Sequence, residues 1–485
     1  MPTIFRVPRP LAAVACLVCF TISGCARNPV TGGYQLMLIS EGQEIAMGQE
    51  YDPQIVNQFG LYDDPAMQEI VSSVGSRMAA NSERPNLPWS FRVVDDPLIN
   101  AFAVPGGFVY MTRGILAHFD SEAQMAAVIG HEIGHITARH SAAQISRQQI
   151  AQIGLGVGVI LAPQLADFAG VASAGLSVLF LKFSRDNERQ ADDLGFKYMT
   201  DAGYDPRGMV DVFEMLQRVS GHQEGGGIPT WMSTHPDPGD RQQRIGAAIA
   251  ATGSDFSNAR EAKNEYIRLL DGMVYGDNPR DGFFRDALFL HPDLEFQFRF
   301  PAGWATVNQT QAVLGQSPNQ DAMIQLSLSD AANATAGAQA FVAREGVTSG
   351  QVTSSTVNGL RVAGAHFSAQ SDQTPLRGMV RFIEYEGGVY QMLGFSVEAQ
   401  WAGYEQAISQ TLSSFAQLTD QSALSAQPMR ISIITADRSM TLRQFNERYP
   451  SSIPLEELAM VNQAEPYTAY AAGDLVKRIV GGVDR

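Results

Sequence analysis

The stretch HEIGHITARH, residues 131–140, places three histidines and a glutamate within ten positions of a chain that has eight histidines in all. The preceding residues predict one amphipathic helix, because Ser121 is a candidate N-cap with Gln124 three positions later and no proline or turn cluster interrupts the pattern. On such a helix His131 and His135 lie about 40° apart around the axis, so both imidazoles project from one face. This face is a candidate metal site.

The residues around the two histidines favour zinc chemistry. Two neutral nitrogen donors can hold the ion, an open position can keep a water molecule, and an adjacent carboxylate can take its proton. Glu132 lies about 100° round the helix from His131, which suits the carboxylate's role and not that of a third ligand. Gly130 and Gly134 each cost about 1 kcal/mol in an exposed helix interior, so they predict a closely packed partner.

A second predicted helix supplies a candidate third ligand. The stretch SRDNERQADDLGFKYM, residues 184–199, begins at Ser184 and carries Glu188 and Asp192 four positions apart on one face. Glu188 can complete a His-His-Glu zinc shell, and Asp192 can orient a ligand histidine through its free ring N–H. The alternative for this pair is an ordinary solvated acidic face.

Four motifs in order resemble those of one protease family. They are NAFAVPGGFVYMTRGIL (100–116), HEIGH (131–135), SRDNERQAD (184–192) and STHPDPGDR (233–241). Together they are similar to the gluzincin metalloendopeptidases related to HtpX and the CAAX prenyl-protein endopeptidases. The resemblance implies one zinc ion per chain, bound by His131, His135 and Glu188, with Glu132 as general base. It also implies a mainly helical zincin-type domain with a small edge sheet.

The other motif residues keep open roles. An edge strand can bind an extended substrate by β-augmentation, and a core hairpin that turns at the following Pro-Gly-Gly is a compatible alternative. The candidate substrate-binding residues are Asn100, Ala101, Phe102 and Ala103. His235 can donate to an oxyanion, occupy the fourth zinc position and close the site, or be a plain loop histidine. Arg241 is predicted to pair with an acid behind the site, and His140 to lie off the ligand face, either at the surface or in support of a ligand.

The apolar tract between the ligands, residues 153–183, contains only two charged side chains and breaks at Pro163. Because His135 and Glu188 must lie in one compartment, the tract crosses a membrane twice or not at all. Two crossings need about 40 apolar residues, and the tract is shorter. A buried or lid-like helical pair is therefore favoured over a surface that meets lipid or a partner.

The N-terminus has the layout of a secretory signal, residues 1–24. Arg6 and Arg9 precede an apolar run that is too short to span a bilayer as a helix, and small residues precede Cys25. The stretch ISGC resembles the bacterial lipobox, in which the cysteine is acylated. This resemblance implies a lipid anchor at Cys25 and a place on the periplasmic face of the outer membrane in a Gram-negative host. A plain signal peptide or an uncleaved anchor is the alternative.

The sequence of the second half predicts two further folded units. Together with the mainly helical protease domain they make the predicted fold class α+β. After a protease domain over 25–270, a linker is predicted over 271–284. Alternating stretches and a closing helical pattern over 285–420 predict an α+β domain that loosely resembles the PsbP-like fold. The stretch 429–485 predicts a strand, two helices and a strand, and resembles a LysM module. That resemblance implies peptidoglycan as a partner.

Length and charge narrow the function. A chain of 485 residues suggests about three domains, and a net charge of −16 argues against nucleic acid as a partner. The leading hypothesis is a lipid-anchored, zinc-dependent metalloendopeptidase that cuts extended or misfolded polypeptides in the periplasm. The alternatives are a chaperone-like assembly factor and a peptidoglycan-binding lipoprotein, each with a non-catalytic zinc site.

Overall fold

The computed structural model describes residues 25–155, 181–222, 231, 234–235, 238–371 and 374–482. The predicted signal, residues 1–24, and most of the apolar tract, residues 156–180, lie outside the described residues. Among the helices that are described, none is long and apolar enough to cross a membrane.

The N-terminal region is mainly helical. Its helices are α1 (Glu41–Phe59), α2 (Pro65–Ala79), α3 (Arg113–His118), α4 (Glu122–Thr137), α5 (His140–Leu155), α6 (Arg185–Asp201), α7 (Arg207–His222), α8 (Pro238–Thr252) and α9 (Lys263–Leu269). Its strands are β1 (Cys25–Arg27), β2 (Tyr34–Leu36), β3 (Ser90–Val94), β4 (Ala101–Val104) and β5 (Phe108–Thr112). The last three form a sheet in the order β3-β5-β4, so β4 is an edge strand, and the β4–β5 hairpin turns at the predicted Pro-Gly-Gly.

The rest of the chain is mainly β. Its strands are β6 (Val274–Tyr275), β7 (Phe283–Arg285), β8 (Leu288–His291), β9 (Phe296–Arg299), β10 (Ala305–Asn308), β11 (Ala312–Gln316), β12 (Ala322–Ser329), β13 (Val347–Ser349), β14 (Thr353–Val357), β15 (Leu360–Ser371), β16 (Thr374–Tyr385), β17 (Gly388–Val397), β18 (Ala416–Gln417), β19 (Met429–Thr435), β20 (Met440–Thr441), β21 (Ala469–Tyr470) and β22 (Leu475–Gly481). Its helices are α10 (Ala334–Val342), α11 (Trp401–Ser413), α12 (Gln421–Leu424), α13 (Leu442–Arg448) and α14 (Leu455–Val461).

An antiparallel sheet dominates this second region. Its strands run in the order β10-β11-β12-β17-β16-β15-β13, and β14 also pairs with β15. The β16–β17 hairpin turns at Glu386 and Gly387, where the sequence Glu-Gly-Gly is a hairpin turn signal. Phe341 of α10 packs into one apolar cluster of the sheet and Trp401 of α11 into another. A smaller sheet, β18-β9-β8-β7, packs into the same cluster as α11. The mixed helix-and-sheet class is therefore as predicted, while the PsbP-like fold stays a prediction.

The residues predicted as a linker, 271–284, are built into the fold. They contain β6, which pairs with β19, and the start of β7. Arg113, buried after β5, donates to the carbonyl oxygens of Val274 and Gly276 at 2.8 and 3.0 Å. This segment is therefore fixed to the N-terminal region through its backbone carbonyl groups, which accept from the Arg113 side chain.

The C-terminal unit, residues 429–482, shares its core with the N-terminal region. Its order of strand, two helices and strand agrees with the sequence pattern, and Phe445, Leu458 and Ile479 belong to the same apolar cluster as Ile129 of α4. At the contact, Lys477 is 1% exposed. Its Nζ donates to the carbonyl oxygens of residues 117, 119 and 461 at 2.7 to 3.1 Å and lies 2.9 Å from an Asp120 oxygen. The unit is therefore part of one folded body with the helices.

We expect Lys477→Met to lower the free energy of unfolding by about 3 kcal/mol or more, because it leaves Asp120 and three carbonyl oxygens without their buried partner. Lys263 provides the matched control, since its side chain is half-exposed and its Nζ lies 3.6 Å from the same carboxylate. Lys263→Met should cost less than about 1 kcal/mol. Urea unfolding of both variants measures the difference, and equal costs would contradict the assignment.

Candidate metal centre

The helices that carry the candidate ligands, α4 and α6, make backbone contact. A Cβ added at Gly134 would lie 2.9 Å from the carbonyl oxygen of Ala191, and one at Gly130 would lie 3.1 Å from that of Gly195. Side chains at these positions would force the helices apart, since protein interiors have no room to spare. The close packing partner that the two glycines predict is α6.

Both helices begin where the sequence indicates. Ser184 caps α6 by accepting a hydrogen bond from the Asn187 N–H at 3.2 Å. Ser121 caps α4 by accepting from the Gln124 N–H at 3.2 Å, but the Gln124 side chain accepts from Asp120 instead of closing the predicted capping box. The first turn of the candidate zinc helix is thereby tied to the residue that also contacts Lys477.

Four buried side chains meet at one point: His131 and His135 from α4, Glu188 from α6, and His235. One nitrogen or oxygen of each lies within 4.8 Å of the others. The two Nε2 atoms of α4 are 3.0 Å apart, and Nδ1 of His235 lies 3.3 Å from His131 Nε2 and 3.0 Å from Glu188 Oε1. The structure therefore brings the three predicted ligands together and adds His235 to them.

These separations fit a tetrahedral zinc site. Ligand atoms about 2.1 Å from a common centre lie about 3.4 Å from one another at the corners of a tetrahedron. The Glu188 oxygens lie 3.4 Å from His135 Nε2 and 3.6 Å from His131 Nε2, so the distances in the cluster scatter around that value. Three imidazole nitrogens and a carboxylate are also the donors that zinc prefers. The donor set thus fits the predicted zinc cofactor.

An ion-paired carboxylate supports His131 from behind. Asp192 Oδ1 accepts from His131 Nδ1 at 3.0 Å, which leaves Nε2 facing the other ligands. Arg241, from α8, contacts both Asp192 oxygens at 2.6 and 2.9 Å and lies 3.0 Å from a Glu188 oxygen. Burial alone would raise the pKa of Asp192, but Arg241 and His131 outweigh burial and hold that pKa well below its usual range. Asp192 thus contacts a candidate ligand histidine, and Arg241 pairs with Asp192 behind the site.

His140 supports the ring of His135 from behind, as Asp192 supports that of His131. Its Nδ1 lies 3.0 Å from Nδ1 of His135, and its Nε2 lies 3.0 Å from Oε1 of Gln190. Burial lowers the pKa of His135 to about 4 and that of His140 to about 3, so both rings are neutral near pH 7. His140 is therefore a buried support of a ligand and not a surface residue, because α5 turns back towards the site after Arg139 in the left-handed conformation (φ 61°).

The predicted general base lies beside the cluster. Glu132 is 1% exposed, and its Oε1 has no hydrogen-bond partner among the residues that the structure describes. The nearest ring nitrogen is Nε2 of His235, at 3.8 Å. Leaving a buried carboxylate oxygen without a partner is costly, so this atom is expected to meet a group that binds at the site.

The predicted substrate residues lie on the edge strand β4 and just before it. The Thr112 N–H donates to the Asn100 carbonyl oxygen at 3.1 Å, which makes this a hydrogen-bonded pair of the β4–β5 ladder. Because such pairs alternate with non-bonded ones, the backbone groups of Ala101 and Ala103 point away from β5, while those of Phe102 point towards it. Asn100 has a buried Oδ1 with no partner in the described part of the chain.

Two aromatic residues at the site were not predicted from the sequence. Trp231 stacks on His235, with ring centroids 4.7 Å apart, and its carbonyl oxygen accepts the His235 N–H at 2.9 Å. Phe183 lies 4.2 Å from the ring of His135. Their positions next to motifs, four residues before His235 and one before Ser184, were the only available signal. For Cys25, the predicted lipidation site, the structure describes a backbone in β1 and nothing of the side chain.

We expect Gly134→Ala to lower the free energy of unfolding by about 1–3 kcal/mol and to weaken zinc binding, because the new methyl group would separate α4 from α6. Gly246→Ala on α8 is the matched control, since a Cβ there meets nothing within 4 Å. That change should be neutral or stabilising by up to about 1 kcal/mol. Urea unfolding and zinc content measure both effects, and an unchanged Gly134→Ala protein would rule out the tight contact.

Among solved structures, cyanobacterial PsbP from Synechocystis sp. PCC 6803 covers 28% of this chain and 95% of its own length, with a TM-score of 0.24 and 14% sequence identity. A likeness of this size carries no argument about the second region.

Relatives resemble the N-terminal region. The β-barrel assembly-enhancing proteases of Yersinia pestis and of Escherichia coli K12 are 32% and 31% identical over 212 residues, which is 42% of this chain and 43% of each relative. The mitochondrial metalloendopeptidase OMA1 of Arabidopsis thaliana is 35% identical over 191 residues, which is 39% of this chain and 37% of that protein. The chain thus spans less than half the length of these relatives. Residues 65–249, which hold the four-residue cluster, match Peptidase family M48. The match of these residues to a peptidase family agrees with the protease resemblance of the ordered motifs.

Proposed function

We propose that this protein is a zinc-dependent endopeptidase that hydrolyses extended or misfolded polypeptides in the bacterial envelope. The observation that carries the proposal is the buried cluster of His131, His135 and Glu188 with the unpartnered carboxylate oxygen of Glu132 beside it. A purely structural zinc site has no use for a base. The match of residues 65–249 to Peptidase family M48 supports the same activity.

Different residues of the chain have different roles in peptide hydrolysis. Zinc, when bound, supplies Lewis acidity that polarises a carbonyl and acidifies water. Glu132 accepts a proton from the attacking water and passes it to the leaving amine. Asp192 fixes the ring of His131 and Arg241 compensates the charge of Asp192, so the ligands keep their orientation during the reaction.

The edge strand β4 is the proposed binding site for the substrate backbone. Ala101 and Ala103 direct backbone groups away from β5, and an extended peptide can pair with them as an added strand. Such pairing uses main-chain groups, so it accepts many sequences provided that the segment is unfolded. This fits a protease that acts on misfolded polypeptides.

His235 is the proposed fourth zinc ligand in a closed state. Its Nδ1 lies 3.3 Å from His131 Nε2 and 3.0 Å from Glu188 Oε1, which suits two ligands of one ion. The ring is held by its stack on Trp231. With four protein ligands a bound zinc ion would have no position for water, so His235 would have to leave before hydrolysis. An oxyanion donor would instead lie outside the ligand cluster.

The place of the protein in the cell is part of the proposal. A signal over residues 1–24 and an acylated Cys25 would put the metal centre on the periplasmic face of the outer membrane. The relatives named as β-barrel assembly-enhancing proteases agree with an envelope role. Peptidoglycan binding by the C-terminal unit rests on the LysM resemblance alone, whereas its shared core with α4 supports a structural role.

We expect Glu132→Gln to abolish cleavage of an unfolded model protein while zinc stays bound, because an amide cannot accept the proton. The measurement is the appearance of fragments from a permanently unfolded protein, with zinc content determined for the purified full-length chain and for the variant. Glu214→Gln, an exposed change on α7, is the control that should keep activity. Activity in Glu132→Gln would exclude this glutamate as the base.

We expect His235→Ala to raise the rate of peptide cleavage several-fold, because it opens the fourth position for water. The measurement is kcat/KM on an unfolded protein at full zinc occupancy. A strong loss of activity with zinc retained would instead assign His235 to stabilising the oxyanion.

A further inference from the structure

A large cavity lies where the three parts of the chain meet, away from the metal ligands. Its volume is about 1690 Å³. Its walls come from the loop at Asp95 and Pro97 in the N-terminal region, from β7 and β10 in the second region, and from residues 452–454 and 457 in the C-terminal unit. We call this cavity the interdomain cleft. None of the residues assigned to proteolysis lines it.

The cleft is lined by exposed apolar side chains. Leu61 and Leu294 are 43% and 45% exposed, and Val307 and Leu328 are 45% and 67% exposed; all four line the cleft. Large apolar side chains that share one concave surface indicate a binding site, whereas scattered ones do not.

Unpaired backbone groups also line the cleft. β10 is the edge strand of the large sheet, and its residues 306–308 form part of the wall. At the β10–β11 turn, Gln309 and Ala312 exchange two backbone hydrogen bonds of 2.9 and 3.3 Å. Since bonded pairs alternate along the ladder, Val307 bonds to β11, and the N–H and C=O of Thr306 point to the open edge.

The cleft contains acidic side chains whose negative charge is not balanced by an ion pair. Asp95 is paired with Arg113, but Asp277 and Asp281 have no cationic partner within the described residues. Burial and the neighbouring Asp95 raise the pKa of Asp281. A positively charged side chain in the cleft would relieve this repulsion.

We propose that the interdomain cleft binds an extended polypeptide segment with apolar side chains and a lysine or arginine, by adding a strand to the β10 edge. The inference rests on the proposed function, because the segment would be part of an unfolded substrate held outside the metal centre. Regularly spaced amides can pair with Thr306, the apolar wall accepts alternate side chains, and Asp277 and Asp281 accept the cation. A glycan strand carries its amides on acetyl side groups and not along its main chain, and it has no positive charge.

The loop that holds Asp95 and Pro97 connects the cleft to the proposed substrate strand. Three residues after Pro97 the chain reaches Asn100, and β4 begins at Ala101. A long unfolded chain can therefore occupy both places, which raises its effective concentration at the metal centre. The cleavage of a peptide too short to reach both places would not be accelerated by the cleft.

The test measures binding without cleavage, in the Glu132→Gln chain. The probe is a short fluorescent peptide that alternates valine with lysine, followed by fluorescence anisotropy. Thr306→Pro removes the outward N–H without removing a ladder bond, and should weaken binding about fivefold to tenfold. Asp277→Lys leaves the backbone untouched and should weaken binding of the lysine peptide more than that of a neutral threonine peptide.

Thr356→Pro is the matched control. Thr356 lies on β14, which pairs only with β15, and the two-residue turn at 358–359 places its N–H on the open side of that strand, outside the cleft. This variant should bind the peptide like the parent chain. Equal binding by Thr306→Pro and the parent, or equal binding of peptides with lysine and with glutamate, would overturn the inference. So would displacement of the peptide by a glycan strand that carries no peptide.

The two proposals fail separately. Peptide binding in the Glu132→Gln chain with no proteolysis by the wild type would overturn the proposed function and keep the cleft as a polypeptide site. Proteolysis by the wild type with no peptide binding in Glu132→Gln would overturn only the proposal that the cleft binds polypeptide.

Discussion

The metal centre depends on the backbone contact between α4 and α6. One helix supplies two imidazoles and the other supplies the carboxylate, and a metal ion accepts them only if their donor atoms converge to within a few tenths of an ångström. Gly130 and Gly134 allow α4 to approach Ala191 and Gly195 at 2.9 to 3.1 Å, measured from the Cβ position that each glycine lacks. These glycines lower the stability of the helix. They also permit the close approach that a three-ligand site on two helices requires.

Buried charges surround this contact and are balanced within the structure. Glu188 and Asp192 would both be unfavourable in an apolar interior, and Arg241 of α8 lies within hydrogen-bond distance of both. Because Arg241 is itself buried, a third helix is held to the first two by the same charges. His140 completes the arrangement on the other side, so each histidine ligand on α4 has a buried partner behind it.

The second and third regions are attached to this core by backbone acceptors and buried cations. Arg113 donates to the segment that was predicted as a linker, and Lys477 donates to the residues that lead into α4. Both cations are almost fully buried, so each contact is difficult to break without a large energetic cost. The interdomain cleft lies where these attached regions meet.

The sequence by itself determined what local geometry controls. Helix periodicity places His131 beside His135 and Glu188 beside Asp192, and the Pro-Gly-Gly and Glu-Gly-Gly turns fix two hairpins, since each depends on residues a few positions apart. Only the tertiary structure decided which other residues meet them: His235 at the ligand cluster, the place of His140, and the docking of the C-terminal unit through Lys477. Those contacts join residues that are far apart in sequence or follow a change of chain direction, and no local pattern encodes them.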